Sequence, residues 1–143
     1  MSGAGGTSWV AVETARAAGQ ERSLGVTLRD WGVPTAASVI VTREVRPRFK
    51  SIIATGGVAS GVDVAKALAL GAHAAGIARP VLQAFHSGGR DGALAFLDQV
   101  ESELRAVMLL VGARDVRALR RATTLLSPDL ERWAAVASGG RKK

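Results

Sequence analysis

Residues 54–80, ATGGVASGVDVAKALALGAHAAGIARP, constrain the fold more than any other stretch of this chain. The apolar run at 51–54 has strand composition and stops at Gly56-Gly57, where the missing side chains permit positive φ and close backbone approach to a ligand. Ser60, with Asp63 three positions on, forms a capping-box pattern that opens a helix over 61–70. Val62, Ala65, Leu68 and Ala69 recur at helical spacing and provide a face able to cover a sheet, and Gly71 supplies the stop. A second strand of small residues, 74–78, ends at Arg79-Pro80, where proline suits the first turn of a further helix. The unit is a parallel strand–helix–strand segment whose strands end side by side, with a helix after each. Free amides and the dipole at such helix starts favour phosphate. A lone Gly-Gly turn is equally well explained as a tight turn, so it carries the phosphate reading only in company.

Other blocks supply that company. In order along the chain they are SGAGGTSW at 2–9, RDWGVPTAAS at 29–38, ATGGVASGVDVAKALALGA at 54–72, GIARP at 76–80 and ELRAVMLLVGARDVRALRRA at 103–122. In content, order and spacing they resemble the C-terminal part of type 2 isopentenyl diphosphate isomerase, an FMN-dependent (β/α)8 barrel enzyme. The resemblance implies an α/β fold: the C-terminal portion of a (β/α)8 TIM barrel, incomplete, with strands seven and eight and their helices. A partial FMN-dependent barrel domain over 1–135 and a flexible basic tail over 136–143 are expected. Barrels of this kind take about 250 residues, whereas this chain has 143. The resemblance starts in the loop after strand six, and an isolated piece of this kind exposes a parallel sheet that is normally covered on both faces.

The resemblance also assigns residues. It places Ser2, Thr7, Gly56, Gly57, Val58, Ala59, Ala78 and Arg79 at the FMN, and Trp9 near the substrate. Backbone amides would carry most of the contact after strand seven, so Val58 and Ala59 need no polar side chain. Many members of the family have arginine where Ala59 stands here, and Arg79 can compensate by bonding phosphate through its guanidinium. An ion pair at the barrel rim is the alternative for Arg79. Thr7 has a simpler role open to it as well, capping a helix over 8–18. The family isomerises isopentenyl diphosphate to dimethylallyl diphosphate in isoprenoid biosynthesis, with reduced FMN, NADPH and magnesium implied. Its diphosphate contacts, magnesium-binding glutamate, glutamine and flavin-side lysine all belong to an earlier part with no counterpart in this chain. The expectation is a chain inactive alone and active only with a complementing N-terminal chain; that chain or a homo-oligomer is the expected partner. An inactive FMN- or phosphate-binding remnant or interaction module, and another FMN barrel such as an α-hydroxy-acid oxidase, are the alternatives.

Beyond the blocks, residues 24–31 read as a connector and Trp31 as a packing residue, with Pro34 opening the helix that carries Ala36, Ala37, Val39 and Ile40. A helix over 91–111 shows an apolar stripe of Leu94, Leu97, Leu104, Val107, Met108 and Val111 and stops at Gly112. A short helix near 115–122 and one opened by Ser127-Pro128 follow. His73 falls in the turn before the second strand, away from the strand ends where barrel sites form, and His86 at a helix end; neither is assigned catalysis. No histidine and carboxylate spacing suggests a metal. The net charge of +7 comes from basic residues around 43–50, 114–121 and the tail, without interleaved aromatics, and reads as a solvated surface rather than a nucleic-acid site. No apolar run reaches the length of about 18 residues needed for a membrane span, no secretory signal is visible, and there is no cysteine. A cytoplasmic location is the default expectation.

Overall fold

A computed structural model describes residues 3–6, 8–45 and 49–139. In chain order they form α1 (Trp9–Arg16), α2 (Gly19–Thr27), α3 (Thr35–Glu44), β1 (Ile53–Ala54), α4 (Gly61–Ala69), β2 (Ala74–Ala75), α5 (Arg79–Leu110), α6 (Val116–Leu119) and α7 (Pro128–Gly139). The strands are parallel, with Ile53 opposite Ala74 and Ala54 opposite Ala75. The strand–helix–strand unit expected from 54–80 is therefore present. Its ladder is only two residues long on each side, shorter than the apolar runs suggested, because each strand has one neighbour among the described residues.

Local chemistry explains α4 in full. Ser60 is its N-cap and accepts from the Asp63 amide at 3.2 Å, while the Asp63 carboxylate accepts from the Ala59 amide at 3.1 Å. At the other end Gly71 lies at φ +117°. Its amide donates to Leu68 and the next, of Ala72, to Ala67, the paired bonds of a Schellman stop. The same two bonds close α5 at Gly112, from Gly112 to Leu109 and from Ala113 to Met108. The two glycine stops read from the sequence are both of this kind.

Strand alternation divides the sheet into two unlike faces. Ile52, Ala54 and Ala75 turn toward the helices and pack with Val39 and Ile40 of α3, Ala67 and Leu70 at the end of α4, and Leu130 and Ala134 of α7. Ile53, on the other face, is 51% exposed. The back of α4 buries Ala65 and Leu68 in a second cluster with Leu104, Val107 and Met108 of α5 and Leu119 of α6. Leu94 and Leu97, in the same apolar stripe, remain largely exposed because α4 meets only the C-terminal half of α5.

Four expectations are corrected. Residues 24–31 are not a connector throughout: α2 runs through Thr27 and packs against α1 as a helical hairpin. Trp31 is not core; it is 83% exposed in the turn beyond α2. The cap of α1 is Ser8, whose hydroxyl accepts from the Ala11 amide at 3.2 Å. The segments 80–86 and 91–111 join as α5 across a kink, where Gly88 and Gly89 leave helical geometry. In addition α7 continues to Gly139, so the boundary drawn at 135 falls inside a helix.

Candidate functional site

Both strands end at one cleft of about 760 Å³, within the range of small-molecule sites. Thr55, Gly56, Gly57, Val58 and Ala59 line it after β1, and Gly76, Ile77, Ala78, Arg79 and Gln83 after β2. Gly5, Gly6 and Trp9 come from the N-terminal loop and the start of α1. Gly56, Gly57, Val58, Ala59, Ala78, Arg79 and Trp9, far apart in sequence, thus share one concavity. Ser2 and Thr7 lie outside the described residues.

Close packing of backbone on backbone shapes the cleft wall. Gly56 and Gly57 sit at φ +101° and +80°. A Cβ on Gly57 would come within 2.3 Å of the Gly5 carbonyl oxygen, and one on Gly6 within 2.8 Å of the Gly56 Cα. Glycine is therefore required on both sides of this contact. The loop is held by the Gly3 amide donating to the Thr55 carbonyl at 3.1 Å. The Thr35 hydroxyl donates to the Gly56 carbonyl at 2.7 Å. Because the peptide is planar and trans, fixing that carbonyl also fixes the Gly57 N–H, which points the opposite way. Thr35 lies in the RDWGVPTAAS block, none of whose residues is among those the resemblance places at the site. Its role could not be read locally, since its acceptor is 21 residues away.

Amide partners locate the polar part of the site. The Gly57, Val58, Ala78 and Arg79 amides have no acceptor among the described residues. The amide of Ala59 is occupied by Asp63, which corrects the expectation that it is available to a ligand. At the start of α4 two amides are already taken: that of Gly61 donates to the Glu103 carboxylate at 2.7 Å and that of Asp63 to the Ser60 hydroxyl. By contrast α5 begins at Ala78 with no side-chain cap and with Pro80 in its first turn. Arg79 is exposed at that point and forms no ion pair among the described residues, so the rim ion pair is not seen. Gln83 lies one turn further on the same face. Trp9 is 72% exposed at the mouth.

Among the described residues Arg79 is the sole ionisable side chain lining the cleft. An arginine stays protonated and can bind an anion, but it is no general base. His73 stands at the other end of the sheet, where its amide donates to the Ile52 carbonyl at 2.7 Å. Among the described residues no group of three histidine, aspartate or glutamate side chains gathers as a metal site. These residues form a module in which glycine turns, backbone amides and one arginine meet at paired parallel-strand ends.

Comparison with known proteins gives that module a family. A profile of FMN-dependent dehydrogenases matches residues 32–126, two-thirds of the chain. The chain belongs to this family. It is 42% identical over 134 residues to an isopentenyl-diphosphate delta-isomerase of Methanopyrus kandleri, covering 93% of this chain and 37% of that protein. To the enzyme of the same name from Metallosphaera sedula it is 43% identical over 137 residues, again 93% and 37% of the two chains. The chain thus spans a little over a third of the length of these relatives. Among solved structures, a mandelate oxidase variant carrying an FMN monooxide adduct is 42% identical, with a TM-score of 0.53 over 54% of this chain and 24% of that one. A flavocytochrome b2 variant with sulfite bound is 26% identical, with a TM-score of 0.59 over 72% and 31%.

Proposed function

We propose that this chain is the FMN-phosphate-holding part of a (β/α)8 barrel whose activity is the isomerisation of isopentenyl diphosphate to dimethylallyl diphosphate. The observation that carries this reading is the cleft where two glycine-walled parallel-strand ends bring together Arg79 and four amides that have no acceptor among the described residues. The residues fit the cofactor. Gly57, Val58, Ala78 and Arg79 would donate to its phosphate, Arg79 adding a charge-assisted bond, and Trp9 would shield the mouth. Bound FMN would supply the proton-transfer chemistry of the family. This chain's own residues would bind and orient, since among the described residues lining the cleft there is no carboxylate or histidine. Magnesium, NADPH and the diphosphate contacts would have to come from elsewhere in an assembled barrel.

The sheet face on which Ile53 is 51% exposed is in keeping with an incomplete barrel, because parallel sheets are ordinarily covered on both sides. A complementing N-terminal segment or chain would supply that cover and the missing substrate groups, and the chain alone would be inactive. Oxidation of an α-hydroxy acid is a second reading, favoured by the likeness to mandelate oxidase. It fits less well, because a proton acceptor is missing from the cleft lining. A flavin-binding remnant without turnover would share the same cleft. Purification of the chain, with flavin content read by absorbance and turnover measured on isopentenyl diphosphate, separates these readings. Flavin bound without turnover, and turnover on adding a complementing chain, is the expected result. Turnover of about 1 per second or faster by the chain alone would defeat the incomplete-site reading. Failure to bind FMN would defeat the cofactor assignment.

A further inference from the structure

The opposite end of the sheet holds a second cleft, of about 490 Å³, unlike the first in charge. Arg43 from α3, Arg117 from α6, and Arg120 and Arg121 just beyond it line this space together with His73 and Phe49. Glu44, 3.8 Å from Arg43, is the single carboxylate among the described lining residues. Four guanidinium groups against one carboxylate leave a strong local excess of positive charge. A neighbouring groove toward α7 shares Arg43, Glu44, Arg120 and Arg121, so the excess extends along the surface.

Hydrogen bonding shows the same excess of donors. The Ile52 amide donates to His73 Nδ1 at 3.1 Å, and Arg120 Nη2 lies 3.2 Å from His73 Nε2. A neutral imidazole has one donor and one acceptor. With Nδ1 accepting, Nε2 carries the proton and meets the guanidinium donor to donor. Arg120 Nη2 has the Gly71 carbonyl at 3.3 Å, but its buried Nε has no partner among the described residues. An oxyanion beside this pair would accept from both. Phe49, 58% exposed at the cleft, offers an apolar or planar body a surface to rest on.

We propose that this cleft is a second ligand site, which takes the phosphate group of a small molecule on Arg43, Arg117, Arg120 and Arg121 and its organic body against Phe49. It lies beyond the N-terminal ends of β1 and β2 and is separate from the glycine-walled cleft at their C-terminal ends. The two sites share no lining residue.

Calorimetric titration of the purified chain with inorganic phosphate, inorganic diphosphate and adenosine monophosphate, at constant ionic strength and with FMN saturating, tests the proposal. Each should bind saturably. Arg120→Gln and the exposed Arg117→Gln should each weaken binding by about tenfold, while Arg79→Gln should leave it unchanged. Arg117→Gln keeps the test informative if Arg120→Gln, which also loses its bond to Gly71, disturbs folding. Tighter binding of adenosine monophosphate than of inorganic phosphate, lost in Phe49→Ala, would support the place given to the organic body; equal binding would overturn it. A signal reproduced by sodium chloride, or one abolished by Arg79→Gln and retained in Arg117→Gln, would overturn the site.

Discussion

The helices that follow the two strands begin in opposite ways, although their N-termini face the same region. Helix α4 starts with protein groups on several of its amides: Ser60 caps it, Asp63 holds the Ala59 amide, and Glu103 takes the Gly61 amide. Helix α5 starts at Ala78 with no side-chain cap. The difference teaches that a strand–glycine–helix pattern does not by itself mark an open phosphate site. What leaves room for an anion is donors without internal acceptors, and in the cleft lining these are, among the described residues, the Gly57 and Val58 amides in the turn and those of Ala78 and Arg79 at α5.

The largest effect should come from Gly57→Val, which breaks the β1 side of this comparison outright. A Cβ there meets the Gly5 carbonyl at 2.3 Å, with φ at +80°. A loss of about 3 kcal/mol in urea-unfolding stability, with loss of flavin binding, is expected. Ala78→Asp tests the open side: a carboxylate beside the free amides should lower FMN affinity by about tenfold or more in a fluorescence titration, through like-charge repulsion. Unchanged affinity would mean that the α5 start does not face the phosphate. Glu103→Ala leaves the Gly61 amide without its acceptor and should cost about 1 to 2 kcal/mol with FMN affinity retained, whereas reduced affinity would place the ligand at α4. Ser60→Ala should cost about 1 kcal/mol through the lost cap. Trp31→Ala, at 83% exposure, should change stability by less than about 0.5 kcal/mol.

What could be read from the sequence was local. The capping spacing of Ser60 and Asp63, the stops at Gly71 and Gly112, and the positive-φ turn at Gly56 and Gly57 each depend on residues within a turn or two of each other. The resemblance then brought Gly56 to Ala59 and Ala78 to Arg79 to one site. Groups that meet across long separations stayed hidden: Glu103 at Gly61 spans 42 residues, and Arg120 at His73 spans 47. Helix α2 was missed because its sequence, GQERSLGVT, has a glycine at its first position and another within its last turn, and buries no residue. Intrinsic preference alone gives little sign of it. Trp31 misled for a related reason: a large aromatic is usually packed, and the described residues offer it no wall.

The kink in α5 has an electrostatic consequence. Gly88 at φ −141° and Gly89 at φ 59°, ψ −148° interrupt the alignment of peptide units along the helix. The dipoles of the longer C-terminal arm therefore do not add to those of the arm that reaches the cleft. Little field is lost, since the influence of a helix end is exerted largely by its terminal turn. The break gives instead an independent orientation to the first arm. The C-terminal arm holds its angle against α4 through Leu104, Val107 and Met108. The arm starting at Arg79 can be aimed at the cleft without disturbing that contact.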